Sequence, residues 1–82
     1  MTIVTMYSRP GCGVCDSART ELLRLSDAGL GVELREVNID EDPRLLSDYL
    51  ERIPVIEVDG QVISELQLDL DAVRSRLDTV LQ

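Results

Sequence analysis

The chain of 82 residues contains no histidine, no tryptophan and no phenylalanine, and all of its eight basic residues are arginine. Its two tyrosines are too few to form a stacking platform for bases, which weakens an interpretation as a single-strand-binding protein. Without histidine, and with only two cysteines, one chain lacks the ligands of an ordinary closed zinc site. Its core must be built from leucine, valine, isoleucine and alanine.

Positive charge is also scarce, because 16 acidic residues outnumber the arginines and give a net charge of −8. Such a surface repels phosphate backbones and anionic membranes, so we expect neither a nucleic acid nor a membrane as partner. The sequence shows no signal peptide and no apolar run as long as a transmembrane helix. We therefore expect a cytoplasmic protein, in which a close pair of cysteines points to redox chemistry or a metal.

The first half of the chain alternates between strand and helix patterns. Ile3–Tyr7 is a short run rich in β-branched residues, which predicts a buried strand. Apolar residues at helical spacing predict an amphipathic helix from about Gly13 to Ala28, and Val32–Ile39 alternates as a second strand does. The predicted buried face of the helix consists of Val14, Ala18, Leu22 and Leu25.

The second half predicts a short helix, a hairpin and a last helix. Asp42 and Pro43 are typical of a helix cap and a first helical residue. Asp59-Gly60 between two apolar runs predicts a tight hairpin, and a helix follows from about Asp69 to Leu81. We expect the short helix to pack through Leu45, Leu46, Tyr49 and Leu50. Residues 1–82 thus form a single α/β domain of order βαβαββα, a four-stranded mixed sheet with helices on both faces.

Cys12 and Cys15 lie where the first predicted strand gives way to the first helix. A helix N-terminus offers unpaired N–H groups and positive potential, which favour the reactive thiolate and lower the pKa of a thiol. We expect Cys12 to be exposed at the turn and Cys15, about one turn into the helix, to be more buried. The pattern predicts a thiol–disulfide oxidoreductase in which Cys12 attacks a substrate disulfide and Cys15 resolves the mixed disulfide.

Two charged residues flank the cysteines. Arg9 precedes Cys12 by three residues and is expected to add positive potential or to hold an anionic substrate. Asp16 follows Cys15 directly and would have the opposite effect on a thiolate. No residue is assigned to a metal site.

Two segments resemble a known family. Residues 7–15, Tyr-Ser-Arg-Pro-Gly-Cys-Gly-Val-Cys, resemble the active-site segment of glutaredoxins and thioredoxin-like proteins. Arg52–Val55 resembles the segment of that fold in which a cis-proline lies opposite the cysteines. With Ile39–Pro43, the match is closest to short bacterial glutaredoxin-like proteins and covers nearly the whole chain.

The resemblance implies a thioredoxin-like fold, with Cys12 as the attacking and Cys15 as the resolving thiol. It implies that Arg9 stands where glutaredoxins usually place a basic residue that contacts glutathione. It also implies that Ile53 offers its backbone to the substrate and that the Ile53–Pro54 bond is cis. From spacing alone, Pro54 fits a strand-starting proline equally well.

The chain departs from the family pattern between the last strand and the last helix. Glutaredoxins normally carry a Gly-Gly pair and an aspartate there, which hold the tail of glutathione. This chain has Ser64–Gln67 instead, and the acidic Glu65 is a poor host for a carboxylate. The first strand also lacks the buried acid that serves thioredoxin as a proton acceptor.

These residues lead to one main expectation and two alternatives. The expected substrate is a disulfide-bearing protein or a glutathione mixed disulfide, reduced by a monomer without a tightly bound cofactor and with glutathione as a candidate reductant. One alternative is an iron–sulfur or metal carrier, in which two chains share a cluster through Cys12. The other is a non-catalytic binding module whose affinity for a partner changes with the redox state of the pair.

Overall fold

The computed structural model of the protein describes residues 2–29 and 31–81. Within these residues, four strands and three α-helices follow in the predicted order βαβαββα. The strands are β1 (Thr2–Ser8), β2 (Val32–Asn38), β3 (Val55–Val58) and β4 (Gln61–Ser64). The helices are α1 (Gly13–Asp27), α2 (Pro43–Tyr49) and α3 (Leu70–Leu81).

The four strands form one mixed sheet in the order β2-β1-β3-β4. β1 pairs in parallel with β2 and antiparallel with β3, and β3 pairs antiparallel with β4. Asp59 and Gly60 join β3 to β4 with φ values of 49° and 87°, as a tight hairpin turn requires. The carboxyl ends of β1, β2 and β4 therefore share one edge with the amino end of β3. We call this the carboxyl edge of the sheet.

The main core lies between the sheet and helices α1 and α3. It is aliphatic, as the lack of phenylalanine and tryptophan requires, and its buried members are Val4, Met6, Ala18, Leu22, Leu25, Val32, Ile56, Val58, Val73 and Leu77. The prediction that Val14 belongs to the buried face of α1 is wrong, because its side chain is 51% exposed. The inward stripe of α1 begins with Cys15, and Val14 is turned about 100° away from it.

Helix α2 lies on the opposite face of the sheet, so the predicted helices on both faces are confirmed. Tyr49 of α2 contacts Tyr7 of β1, with ring centroids 4.8 Å apart. The expected apolar side of α2 is only partly correct, because none of its residues is buried and Leu50 is 44% exposed. A helix of seven residues has too few turns to bury a continuous apolar stripe against the sheet.

The connection from β2 to α2 differs from the prediction by one element. Ile39 was expected to end β2, but it opens a short 3₁₀ helix (Ile39–Glu41) and is fully buried. Asn38 ends the strand because its side-chain oxygen accepts the N–H of Asp40 at 2.9 Å. Asp42 then caps α2 and Pro43 is its first residue, as predicted. No helix in the described part of the chain is long and apolar enough to cross a membrane.

Candidate active site

Three of the four connections at the carboxyl edge of the sheet surround the candidate site. The first leads from Ser8 at the end of β1 to Cys12 at the start of α1. The second ends at Pro54, which directly precedes Val55, the residue paired with Tyr7 of β1. The third follows β4, and the N–H of Leu66 donates to the carbonyl oxygen of Arg52 at 2.9 Å. Residues far apart in the sequence are thereby placed around one site.

Cys12 is the N-cap residue of α1. Its backbone is extended (φ −91°, ψ 103°), and its carbonyl oxygen accepts the N–H of Asp16 at 3.1 Å. Its Sγ atom accepts the N–H of Cys15 at 3.1 Å, the position in which a capping serine or aspartate places an oxygen. Gly11 reverses the chain just before it with a φ of 82°, a left-handed conformation that suits glycine. The sulfur is thus directed at the free N–H groups of the helix.

Cys12 and Cys15 are joined by a disulfide bond, with their Cα atoms 5.2 Å apart. This separation lies within the normal range for disulfides. Cys12 is half-buried, whereas Cys15 is fully buried at 0% exposure. The predicted proximity of the two sulfurs and their order of burial are therefore confirmed, while their roles in a reaction stay predictions.

The charges beside the cysteines are neutralised within the chain. Nε of Arg9 lies 3.2 Å from Oδ1 of Asp40, just beyond the end of β2. Asp16 is paired with Arg19, whose Nη1 lies 2.8 Å from Oδ1 of the aspartate. Arg9 therefore adds little net positive potential to the site, and its contact with a substrate stays a prediction. The positive potential near Cys12 therefore comes from the N-terminus of α1.

A partly exposed hydrogen-bond network links β1, β2 and α1 beside Ser8, and the sequence did not predict it. Oγ of Ser8 donates to Oε2 of Glu36 at 2.7 Å, and Nε of Arg19 donates to Oε1 of Glu36 at 2.6 Å. The Arg19 guanidinium holds the pKa of the Glu36 carboxyl below its usual value, against the opposing effect of partial burial. A glutamate on the core-facing side of β2, in register with Met6, is the signal that points to such a partner.

The Ile53–Pro54 peptide bond is cis in the structure, and Pro54 is buried. Ile53 is half-buried, and its N–H donates to the carbonyl oxygen of Tyr49 at 3.0 Å. The backbone of Ile53 is expected to contact a substrate, but its N–H is thus already engaged. A substrate contact at Ile53 stays a prediction for its carbonyl oxygen.

Glu65 does not present an isolated negative charge at the site. Nε of Arg52 donates to Oε1 of Glu65 at 2.5 Å, and Nη2 of the same guanidinium also contacts this oxygen. The guanidinium lies over the Tyr49 ring, 4.8 Å from its centroid. The expectation that Glu65 is a poor host for a carboxylate considered only its own charge. In the structure Arg52 neutralises that charge.

Apolar side chains are exposed on the first turn of α1 and on the loop after β4. Val14 is 51% exposed and Leu66 is 61% exposed. An open groove of about 430 Å³ runs between α1 and the start of α3, lined in part by Val14, Leu68 and Leu70. In the residues that the structure describes, no group of three or more histidine, cysteine, aspartate or glutamate side chains is arranged to hold a metal ion.

The fold and the sequence both match known proteins. A family model described as "Glutaredoxin-like domain (DUF836)" matches residues 3–78. A protein from Nitrosomonas europaea has a TM-score of 0.78 at 26% identity, over 92% of this chain and 89% of that protein. A protein from X. campestris is 34% identical with a TM-score of 0.71, over 93% of this chain and 96% of its own.

A glutaredoxin from Brucella melitensis is 27% identical with a TM-score of 0.64, over 99% of this chain and 89% of that protein. The mixed sheet and its helices thus have the predicted thioredoxin-like fold. A search of curated proteins gave no match. The paired Cys12 and Cys15 on this fold support a role in thiol–disulfide redox chemistry. The family match over residues 3–78 shows that the chain belongs to the glutaredoxin-like domain family.

Proposed function

We propose that the protein is a dithiol–disulfide oxidoreductase that reduces a disulfide of another protein or a mixed disulfide of glutathione. Cys12 is the attacking thiol and Cys15 the resolving thiol. The observation that carries this proposal is the position of Cys12 Sγ at the N-terminus of α1, where it accepts the N–H of Cys15 at 3.1 Å. Its bonded partner is fully buried behind it.

The helix start favours the reactive form of Cys12 in the reduced protein. The N–H groups of the first turn have no carbonyl partner within the helix, and the helix dipole adds positive potential. Both effects stabilise a thiolate at the N-cap position more than a neutral thiol. Because Arg9 is paired with Asp40, this stabilisation comes from backbone groups rather than from a basic side chain.

The reaction proceeds in two thiol–disulfide exchanges. The Cys12 thiolate attacks one sulfur of the substrate disulfide, forms a mixed disulfide and releases the first substrate thiolate, which takes a proton from water. Cys15, after losing its proton, attacks Cys12 Sγ and releases the second substrate thiol. Two electrons pass from the dithiol to the substrate, and the product is the Cys12–Cys15 disulfide present in the structure. Glutathione is the candidate reductant that returns the pair to the dithiol.

The surface around the disulfide favours a protein as substrate. Val14, next to Cys15, exposes its apolar side chain and lines the groove along α1, and Leu66 exposes another on the loop after β4. An extended segment on either side of a substrate disulfide would cover these side chains and remove their apolar area from water. A small, highly charged disulfide would leave them exposed.

Serine variants of the two cysteines test the assignment of roles. Cys12→Ser is expected to reduce turnover of insulin and of a glutathione mixed disulfide to the rate without protein, because no thiolate remains at the N-cap. Cys15→Ser is expected to accumulate a mixed disulfide on Cys12, which mass spectrometry of the intact protein detects. The two variants control for each other, since each replaces one sulfur by oxygen. Full activity of Cys12→Ser would overturn the proposal.

A further inference from the structure

Arg52 lies on the rim of the site. It precedes the buried Pro54 by two residues, and the pairing of Val55 with Tyr7 places this segment beside the end of β1. Its carbonyl oxygen accepts the N–H of Leu66, so the loop after β4 lies against it. The Arg52 side chain is 41% exposed. Its guanidinium is therefore within reach of a molecule that approaches the carboxyl edge.

The position of this guanidinium is fixed by aromatic contacts. It lies 4.8 Å from the centroid of the Tyr49 ring, and that ring lies 4.8 Å from the ring of Tyr7 on β1. Contact with an aromatic face orients the planar guanidinium without occupying its N–H groups. Arg52 is thus held as a ready binding group for a carboxylate at the edge of the site.

A carboxylate of the chain itself already occupies that group. Both Nε and Nη2 of Arg52 contact Oε1 of Glu65, which belongs to the loop after β4. Arg9, beside the cysteine turn, is likewise paired with a carboxylate of the chain, that of Asp40. An anionic substrate would meet neutral ion pairs at these positions, and it would have to displace Glu65 to reach Arg52.

We propose that Glu65 determines substrate specificity: by occupying the Arg52 guanidinium, it makes the site select against disulfides that carry a carboxylate next to the reacting sulfurs. The inference rests on the proposed oxidoreductase function. Glu65 takes no part in sulfur exchange and changes only the charge that a bound substrate meets. Neutral and cationic disulfides, and protein segments without acidic residues beside the cysteine, are the preferred substrates.

Three small disulfides of similar size and different charge test this proposal. Dithiodipropionate is anionic, bis(2-hydroxyethyl) disulfide is neutral and cystamine is cationic. The reduced protein is mixed with each in a single turnover and quenched with acid. The rate of Cys12 oxidation is then measured by counting the thiols that remain on the protein after the small thiols have been removed. The comparison is between the wild-type protein, Glu65→Gln, and Glu33→Gln as a matched control. Glu33 also forms an ion pair, with Arg35, but it lies near the opposite end of β2.

Glu65→Gln is expected to raise the rate with dithiodipropionate relative to the neutral disulfide by about fivefold, the scale of one exposed ion pair. The gain should shrink at high salt, because salt screens exposed charges, and it should disappear in the double variant Arg52→Gln/Glu65→Gln. Glu33→Gln should leave the ratio unchanged although it alters the net charge equally. The rate with the neutral disulfide shows whether each variant keeps an intact site.

The outcomes separate this inference from the proposed function. If the wild-type protein does not react through Cys12 even with the neutral disulfide, the oxidoreductase function itself is wrong. If it reacts, but Glu65→Gln leaves the ratio of anionic to neutral rates unchanged, only the role of Glu65 is wrong. An equal rise of this ratio in Glu33→Gln would also overturn that role, because the change in net charge would then be its cause.

Discussion

The side chain of Glu36 on β2 links this strand to β1 and to helix α1. Its carboxylate accepts hydrogen bonds from Ser8 of β1 and from Arg19 of α1, and the pKa of Glu36 is lowered mainly by the Arg19 contact. A carboxyl group with a depressed pKa stabilises the folded state above its unfolded pKa of about 4.3. That stabilisation is lost as the pH falls through the lower pKa of the folded state.

Glu36→Gln is therefore expected to lower the free energy of unfolding near neutral pH, by an amount that decreases as the pH falls below the unfolded pKa of about 4.3. The loss near neutral pH should be about 1 kcal/mol or less, since the side chain is one-third exposed and solvent screens the pair. Urea unfolding of both proteins across this pH range measures it. Glu33→Gln, in a more exposed pair on the same strand, serves as control. A difference that stays constant down to pH 3 would contradict the account.

The same residue shows where sequence patterns stop being informative. Alternation along β2 indicates a strand, but it does not say that the core-facing position of Glu36 is filled by an ion pair. The partners Arg19 and Ser8 come from other elements, and only the register of β1 with β2 brings them together. Charge pairing across the fold depends on long-range geometry, whereas the spacing of Cys12 and Cys15 is local and was predictable.

At the scale of elements, local capping and turn residues gave reliable predictions. Asp42 and Pro43 begin α2, and Asp59-Gly60 forms the hairpin turn, because each acts on backbone groups within a few residues. The burial of helix faces was harder to predict. Val14 is exposed since the inward stripe of α1 starts at Cys15, and α2 is too short to bury its leucines.

Asp42→Ala is expected to destabilise the protein by about 1 kcal/mol. Oδ1 of Asp42 accepts the N–H of Arg44 at 2.8 Å, and alanine would leave that donor without its capping partner. Asp48→Ala is the matched control, because Asp48 is exposed on the same helix but is not at its N-cap. Thermal or urea unfolding compares the two variants with the wild-type protein. An equal loss in both would show that removal of negative charge, rather than of the cap, is responsible.

At the scale of the whole molecule, the sheet topology creates the site. The order β2-β1-β3-β4 places the ends of three strands and the start of the fourth at one edge, where the disulfide turn, Pro54 and Glu65 meet. The element order and the cysteine pair could be predicted from the sequence. The neutral pairs Arg9–Asp40 and Arg52–Glu65 could not, since each joins residues from different connections.

The central claim is that Cys12 is accessible and ionisable at the start of α1 while Cys15 is sealed behind it. Alkylation of the fully reduced protein with limiting iodoacetamide, as a function of pH and resolved by peptide mass spectrometry, tests it most directly. We predict that Cys12 is modified first, with a midpoint well below the value of about 8.5 of an ordinary thiol. Equal modification of the two cysteines, or a Cys12 midpoint at or above that value, would contradict the account.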